Sequence, residues 1–264
     1  EIGFKAQRSN EVIAIHSCPV LIPEIDFPTL PLGDIGANKR VEVALSSTGE
    51  RSIAVLEART ERTEQRPKAK IIEGGATLTY SAADRDYRVS QSAFWQSNLN
   101  APQSLVDAVL EFAEFKSGEH LLDLYGGVGL FAGAALPLLG MGGRIDIVEG
   151  SAVATEDARF NFQDEANVFV HTGDVAREVK KFKRADVVVL DPPRTGAGKP
   201  VIEKITKLSA RAIIYVACDP AALARDTTYL QEMGYHLEDI RAFDLFPMTH
   251  HIESVALYTH SKVS

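Results

Sequence analysis

Apolar positions along this chain fall into two regimes. Up to about residue 90 they come as short alternating segments, Glu11 to Ile15, Val41 to Leu45, Ile53 to Leu56 and Ala76 to Tyr80, broken by clusters of Pro, Gly and Asn. Alternation with period two predicts half-buried strands and the breakers predict turns, so residues 1–90 read as a small, strand-rich α+β unit. From about Ser92 short apolar runs alternate with longer helical stretches: His120 to Leu124, Arg144 to Val148, Val168 to His171, Asp186 to Leu190 and Ala212 to Ala217. That alternation predicts a parallel sheet covered by helices. Arg241 to Leu245 and Ile252 to Thr259 come next with no helix between them, which predicts an antiparallel hairpin at the sheet edge. Residues 91–264 therefore read as an α/β domain.

Composition narrows the class. A chain of 264 residues with 45% hydrophobic and 24% charged residues has enough apolar surface for a real core. The longest apolar stretch, Val128 to Met141, is broken by Gly133, Pro137 and Gly140 and is shorter than the roughly 20 residues of a membrane span; it reads as a buried helix, with no membrane association. Two cysteines, Cys18 and Cys218, cannot build a disulfide framework, and no secretory leader is visible, which points to the cytoplasm. The chain opens on Glu-Ile-Gly-Phe rather than Met and reads as a segment of a longer protein. A net charge of −8 argues against a generally nucleic-acid-binding surface, although Arg59, Arg62, Arg66, Lys68 and Lys70 form one basic stretch and Lys180, Lys181, Lys183 and Arg184 another. Either run taken alone reads as a solvated surface.

The first candidate site is Asp123-Leu-Tyr125-Gly-Gly127-Val-Gly129, a glycine-rich turn between a strand and an Ala-rich helix. Glycines there let the backbone approach a ligand that side chains would hold off. Gly127 and Gly129 are followed by Gly133, one residue too late for the dinucleotide fingerprint, so a nicotinamide cofactor is disfavoured. Glu149 ends the next strand, where an acid can accept both hydroxyls of a ribose, and Asp174 follows the third strand.

Later motifs carry the chemistry. Asp191-Pro-Pro-Arg194-Thr-Gly-Ala-Gly stiffens a loop just past a strand and leaves glycines for a planar substrate. Cys218-Asp-Pro ends the fifth strand, with Asp219 as N-cap and Pro220 as first helical residue; the helix end is expected to lower the Cys218 pKa. His250 and His251, read as neighbours in an extended segment, would point to opposite faces and could not share a metal ion, whereas His251 and Glu253 would share a face. No metal site is expected.

Taken in order, Phe94-Trp-Gln96-Ser-Asn98, the glycine turn, Asp191-Pro-Pro-Arg194, Cys218-Asp-Pro and the terminal His251-Ile-Glu253 resemble the RNA uracil-5-methyltransferase family across the whole second domain, and Gly3-Phe4 with His16-Ser-Cys18-Pro19 is similar to that family's central domain. The resemblance implies a Rossmann-like class I methyltransferase domain, a seven-stranded mixed sheet with an antiparallel last strand, over residues 91–264, after a small α+β central domain, 1–90, that contacts RNA. It implies S-adenosyl-L-methionine as methyl donor, held by Gln96, Tyr125, Gly127, Gly129, Glu149, Asp174 and Asp191. Phe94, Arg194 and His251 would meet the substrate, Cys218 would attack C6 of a uridine in ribosomal or transfer RNA, and Glu253 would remove the C5 proton. Some members carry an iron–sulfur cluster on four cysteines; Cys18 stands at one such place, and this chain alone cannot supply that set. Leu130 replaces a commonly polar residue and Ala217 a common Ser. No obligate protein partner is implied. Two rival readings stay open: an amino-methyltransferase that uses the Asp-Pro-Pro-Arg loop with Cys218 merely structural, and a noncatalytic RNA-binding module.

Overall fold

The computed structural model describes residues 2–6, 9, 11–36, 39–57 and 69–260. The basic residues Arg59, Arg62, Arg66 and Lys68 lie outside the described residues. Two compact units divide at Ala76/Thr77.

In the first unit, β1 (Gly3–Lys5) pairs antiparallel with β2 (Val12–Ala14), and β3 (Lys39–Leu45), β4 (Arg51–Glu57) and β5 (Lys70–Glu73) form an antiparallel sheet with β4 in the middle. Ile53, Ala54 and Leu56 of β4 are buried. Among the described residues of this unit the only helical turn is a 3₁₀ turn at Phe27–Thr29, where an α+β unit is expected; none of its short apolar segments is long enough to present a helical face.

The second unit begins with the hairpin β6 (Thr77–Ala82) and β7 (Arg85–Ser90). The apolar pattern groups this hairpin with the preceding strands, yet its contacts lie with the elements downstream of it. Tyr87 is fully buried and its hydroxyl donates to the Leu130 carbonyl, while the Asp157 carboxylate accepts the Ser90 amide at 2.7 Å and the Ser90 hydroxyl at 3.0 Å.

The remaining elements alternate: α1 (Ala101–Ala113), β8 (His120–Leu124), α2 (Leu130–Leu139), β9 (Arg144–Glu149), α3 (Ala152–Asn161), β10 (Val168–Thr172), α4 (Val175–Glu178), β11 (Val187–Leu190), α5 (Lys199–Ile205), β12 (Ala212–Ala217), α6 (Pro220–Glu232), β13 (Tyr235–Phe243) and β14 (Glu253–His260). Strands β8 to β14 form one seven-stranded sheet in the order β10-β9-β8-β11-β12-β14-β13. The first five run parallel, and β14 enters antiparallel between β12 and β13. The hairpin therefore forms as expected, with β13 at the edge.

Every residue of β11 and β12 is buried, as a strand covered by helices on both faces requires. One face packs Leu122, Leu124, Val188, Leu190, Ile213 and Tyr215 against apolar residues of α5 and α6, each fully buried aliphatic side chain contributing about 1.5–3 kcal/mol. Helix α2 is buried over most of its circumference, as its unbroken apolar run predicts. The C-terminal ends of the parallel strands and the start of β14, where the candidate residues cluster, open on one side of this sheet.

Candidate active site

After Leu124 the chain turns through three left-handed positions, Tyr125 (φ 58°), Gly127 (φ 56°) and Gly129 (φ 97°). A Cβ at Gly129 would fall 2.3 Å from Phe162, so only glycine fits there, whereas the space beside Gly127 is open. Behind the turn, Asp123 is fully buried. One of its carboxylate oxygens accepts the Ala132 amide at 3.1 Å and the other has no partner. Burial, countered by that amide and aided by Glu149, pushes the Asp123 pKa up to about 7.

Glu149, at the end of β9, accepts the Gly127 amide at 3.2 Å and the Ser151 amide at 2.6 Å, which ties it to the glycine turn. Asp174 caps α4 by accepting the Arg177 amide at 3.0 Å. Burial, with the charges of Asp174, Asp226 and Glu149, pushes Tyr125 up to about 12.

Sheet register assembles the second cluster. Leu190 pairs with Tyr215, and Ala217 with Ser254 across the antiparallel β12–β14 junction. The residues immediately beyond, Asp191, Cys218 and Glu253, therefore emerge at the same end of three consecutive strands. Asp219 caps α6 through the Ala222 amide at 2.8 Å with Pro220 as first helical residue, as read from sequence. The electrostatics differ from expectation. Burial, then the carboxylates of Glu253 and Asp191, raise the Cys218 pKa, and the main opposing charge is Arg194. Partial burial and two acids raise the thiol where the helix end alone is expected to lower it. Burial likewise raises Glu253, which is 6% exposed, against the pull of Arg194. Burial with Glu253, Asp123 and Glu149 pushes Asp191 up to about 8.

The segment between β13 and β14 departs from an extended reading. It turns at Phe246–Thr249, with Met248 left-handed at φ 64°, and the rings of His250 and His251 lie 4.3 Å apart instead of on opposite faces. His251 Nε2 meets Arg194 Nη2 at 3.2 Å, so its partner is the Arg194 guanidinium and not the Glu253 carboxylate. Among the described residues no group of three or more His, Cys, Asp or Glu side chains is placed to hold a metal ion, and no helix is long and apolar enough to cross a membrane.

On the bend before α1, Phe94 is 69% exposed, Gln96 is half-buried, and Trp95 packs on Tyr80 and Tyr87 as part of the hairpin's core. Asn98 donates to the Leu245 carbonyl at 2.6 Å and ties that bend to the segment just after β13. Sequence reasoning assigns Asn98 no role and misses Asp226 altogether. Asp226 is fully buried on α6 and accepts the amides of Ala197 and Gly198 and the Tyr215 hydroxyl, anchoring the loop that carries Asp191 and Arg194. The readable signal is an acid on the stripe Ala222, Leu223, Asp226, Leu230, otherwise the apolar face of the helix. Of the second basic run, Lys181 pairs with Glu178 and Arg184 with Asp186.

This strand order, with a glycine turn after β8 and acids at the ends of the strands beside it, defines the methyltransferase fold. The chain belongs to the tRNA (uracil-5-)-methyltransferase family, whose family model matches residues 68–261. It is 37% identical to an uncharacterized RNA methyltransferase of Streptomyces avermitilis over 97% of this chain and 63% of that protein. It is 29% identical to the 23S rRNA (uracil(1939)-C(5))-methyltransferase RlmD of Shewanella piezotolerans, over 99% of this chain and 65% of that protein. The crystal structure of Pyrococcus abyssi tRNA (uracil-54, C5)-methyltransferase in complex with S-adenosyl-L-homocysteine superposes with a TM-score of 0.66 at 26% identity, covering 82% of this chain and 58% of that one. The chain thus spans less than two thirds of the length of these relatives.

Proposed function

We propose that this chain carries the catalytic centre of an S-adenosylmethionine-dependent enzyme that methylates C5 of a uridine in RNA, with Cys218 as nucleophile and Glu253 as base. The observation that carries the reading is the β12–β14 register, which brings a half-buried thiol and a buried carboxylate to the same sheet end beside Asp191 and Arg194.

The glycine turn and its acids fit the donor. Gly127 leaves open space, Glu149 is fixed beside it, and the charges of Glu149 on Asp123 and of Glu253, Asp123 and Glu149 on Asp191 oppose further ionisation, which suits a cationic ligand. In the proposed complex Tyr125, Gly127, Gly129, Glu149, Asp174, Asp191 and Gln96 hold the nucleoside and amino-acid parts. S-adenosylmethionine, when bound, supplies an electrophilic methyl group on its sulfonium.

Uracil C5 is a weak nucleophile, and the residues here answer that. The Cys218 thiolate adds to C6, forming a C–S bond and placing the electron pair on C5 and the O4 enolate. Arg194, the cation that favours both the thiolate and the Glu253 carboxylate, stabilises the charged forms. Once C5 has accepted the methyl group, Glu253 takes the C5 proton, the C5–C6 double bond returns and the C–S bond breaks to release the thiolate. Reaching C6 requires an unstacked base, and the exposed Phe94 ring is the proposed stacking surface. The names of the relatives divide between ribosomal and transfer RNA as substrate, and either class is compatible with this chemistry.

The test uses RNA containing 5-fluorouridine, whose C5 fluorine cannot leave as a proton. With donor present, a covalent protein–RNA adduct resistant to denaturant is expected, absent in Cys218→Ala; Glu253→Gln is expected to accumulate the adduct on ordinary uridine RNA. N-methylated adenosine or guanosine as product, or an adduct through another residue, would overturn the assignment.

A further inference from the structure

Arg194 sits on an exposed loop, and a free guanidinium there would sample many positions. Its side chain is instead met by the segment that precedes β14, with His251 Nε2 at 3.2 Å from Nη2. An arginine can only donate, so this contact needs the imidazole neutral at Nε2, with its proton on Nδ1. The ring is braced on two sides. Phe246 meets it edge-on with centroids 6.4 Å apart, and the His250 ring lies 4.3 Å away. The turn carrying all three rings is closed by the Thr249 amide and hydroxyl bonding to the Phe246 carbonyl, and the Thr249 hydroxyl accepts the His251 amide at 3.2 Å.

We infer that His251 is a positioning residue, a neutral acceptor braced by Phe246 and His250 that holds Arg194 at the mouth of the Cys218–Glu253 site. His251 touches neither the thiol nor the carboxylate in this arrangement; it acts through the guanidinium. The charges facing it agree with that role. Partial burial, Arg194 and His250 lower its pKa, and Asp219 at the start of α6 opposes them, a net shift toward the acceptor form. The inference deepens the proposed chemistry, because it assigns the residue that keeps a favourable cation beside the thiol.

Cys218 alkylation reads this without RNA or methyl donor. In a Cys18→Ser background Cys218 is the only thiol, and iodoacetamide reacts with the thiolate alone, so the rate against pH gives the thiol pKa. Arg194→Ala is expected to slow alkylation at pH 7.5 about tenfold, one pKa unit, and His251→Ala about threefold. The double variant is expected to match Arg194→Ala, since the imidazole has nothing left to hold. His251→Gln, which keeps a neutral acceptor, is expected to stay within about twofold of the parent. Alkylation of His251→Ala at the parent rate, a double variant slower than Arg194→Ala by the full His251→Ala factor, or no effect of Arg194→Ala would each overturn the inference. Since the thiol is read directly, a chain that methylated no uridine at all could still show the coupling, and the two failures are distinguishable.

Discussion

The Tyr215 hydroxyl donates to Asp226 Oδ2 at 2.8 Å, and the same oxygen accepts the Ala197 and Gly198 amides at 2.8 and 3.0 Å. A side chain of the central strand β12 and one of helix α6 thus meet under the loop that follows Asp191-Pro-Pro-Arg194. Gly196, left-handed at φ 76°, allows this approach; a Cβ there would lie 2.4 Å from Arg225 and 2.7 Å from the Asp226 carboxylate. Arg225 completes the anchor by bonding both Asp226 and the Thr195 carbonyl.

Asp226→Asn is therefore expected to destabilise the fold by about 1–3 kcal/mol, the cost of replacing one accepting oxygen with an amide NH2 that faces donors already in place, and to lower the proposed methylation more than this loss accounts for, because Arg194 and Asp191 lose their register. Urea unfolding and single-turnover methylation at a temperature where the variant is folded check both parts. A variant as active as the parent would show that the loop does not depend on this anchor.

The pH dependence of stability should carry the mark of Asp191. Its folded pKa is pushed up to about 8 by burial and by Glu253, Asp123 and Glu149, while an unfolded aspartate titrates near 3.9. Between those values the folded state binds a proton that the unfolded state does not, so stability falls as pH rises through the window and the loss is complete above the folded value. Asp191→Asn removes that slope. It is expected to be more stable than the parent by on the order of 2 kcal/mol at pH 9, with little difference at pH 4, while losing the proposed methylation. Equal gains at the two pH values in urea unfolding would mean that ionisation of this carboxyl is not the source of the slope.

Asp146 presents the opposite sign. Burial alone would raise it, but hydrogen bonds from His120 at 2.7 Å, Arg144 at 2.6 Å and His171 at 2.6 Å hold it well below the usual carboxylate range. These partners join β8, β9 and β10 on one face. The stabilisation is present above the unfolded pKa near 3.9 and is lost as pH falls through the lower folded value. Asp146→Asn is expected to cost about 3 kcal/mol at pH 7, a gap that narrows below about pH 4; a gap that stays constant into acid would separate the loss from the charge.

The fold is legible in sequence wherever one periodicity governs a whole element. The buried strands β8, β9, β11 and β12 are apolar on both faces and stand out from the helices between them. The pattern marks strand β13 only from Arg241, although it starts at Tyr235. It is an edge strand, exposed from His236 to Ile240 with a bulge between Leu237 and Asp239, so neither alternation nor a continuous apolar run reveals it. The His250–His251 pair escapes for a related reason. Period two cannot be carried through a stretch that turns at a left-handed Met248, a residue with no turn signature. The Cys218 pKa runs against the local rule about helix ends because the fold partly buries the thiol and register then brings two carboxylates near it, and nothing local in the sequence reports either.

The two left-handed glycines of the turn after β8 separate folding from the proposed ligand binding. At Gly129 a methyl group would strike the Phe162 ring at 2.3 Å and Ile147 at 3.2 Å, with φ at 97° adding backbone strain. At Gly127 φ is 56°, which a non-glycine residue reaches at a cost of about 1–2 kcal/mol, and nothing lies within 4 Å of the added methyl. Gly129→Ala is thus expected to lose several kcal/mol in an overpacked site, visible as a large fall in melting temperature. Gly127→Ala is expected to fold with only a modest fall. Its methyl would project into the open space assigned to the donor, and S-adenosyl-L-homocysteine affinity measured calorimetrically should drop by at least about tenfold, a loss of roughly 1.4 kcal/mol. If Gly127→Ala bound the homocysteine product as the parent does, the donor would have to lie elsewhere than against this turn, and the assignment of Glu149 to its ribose would fall with it.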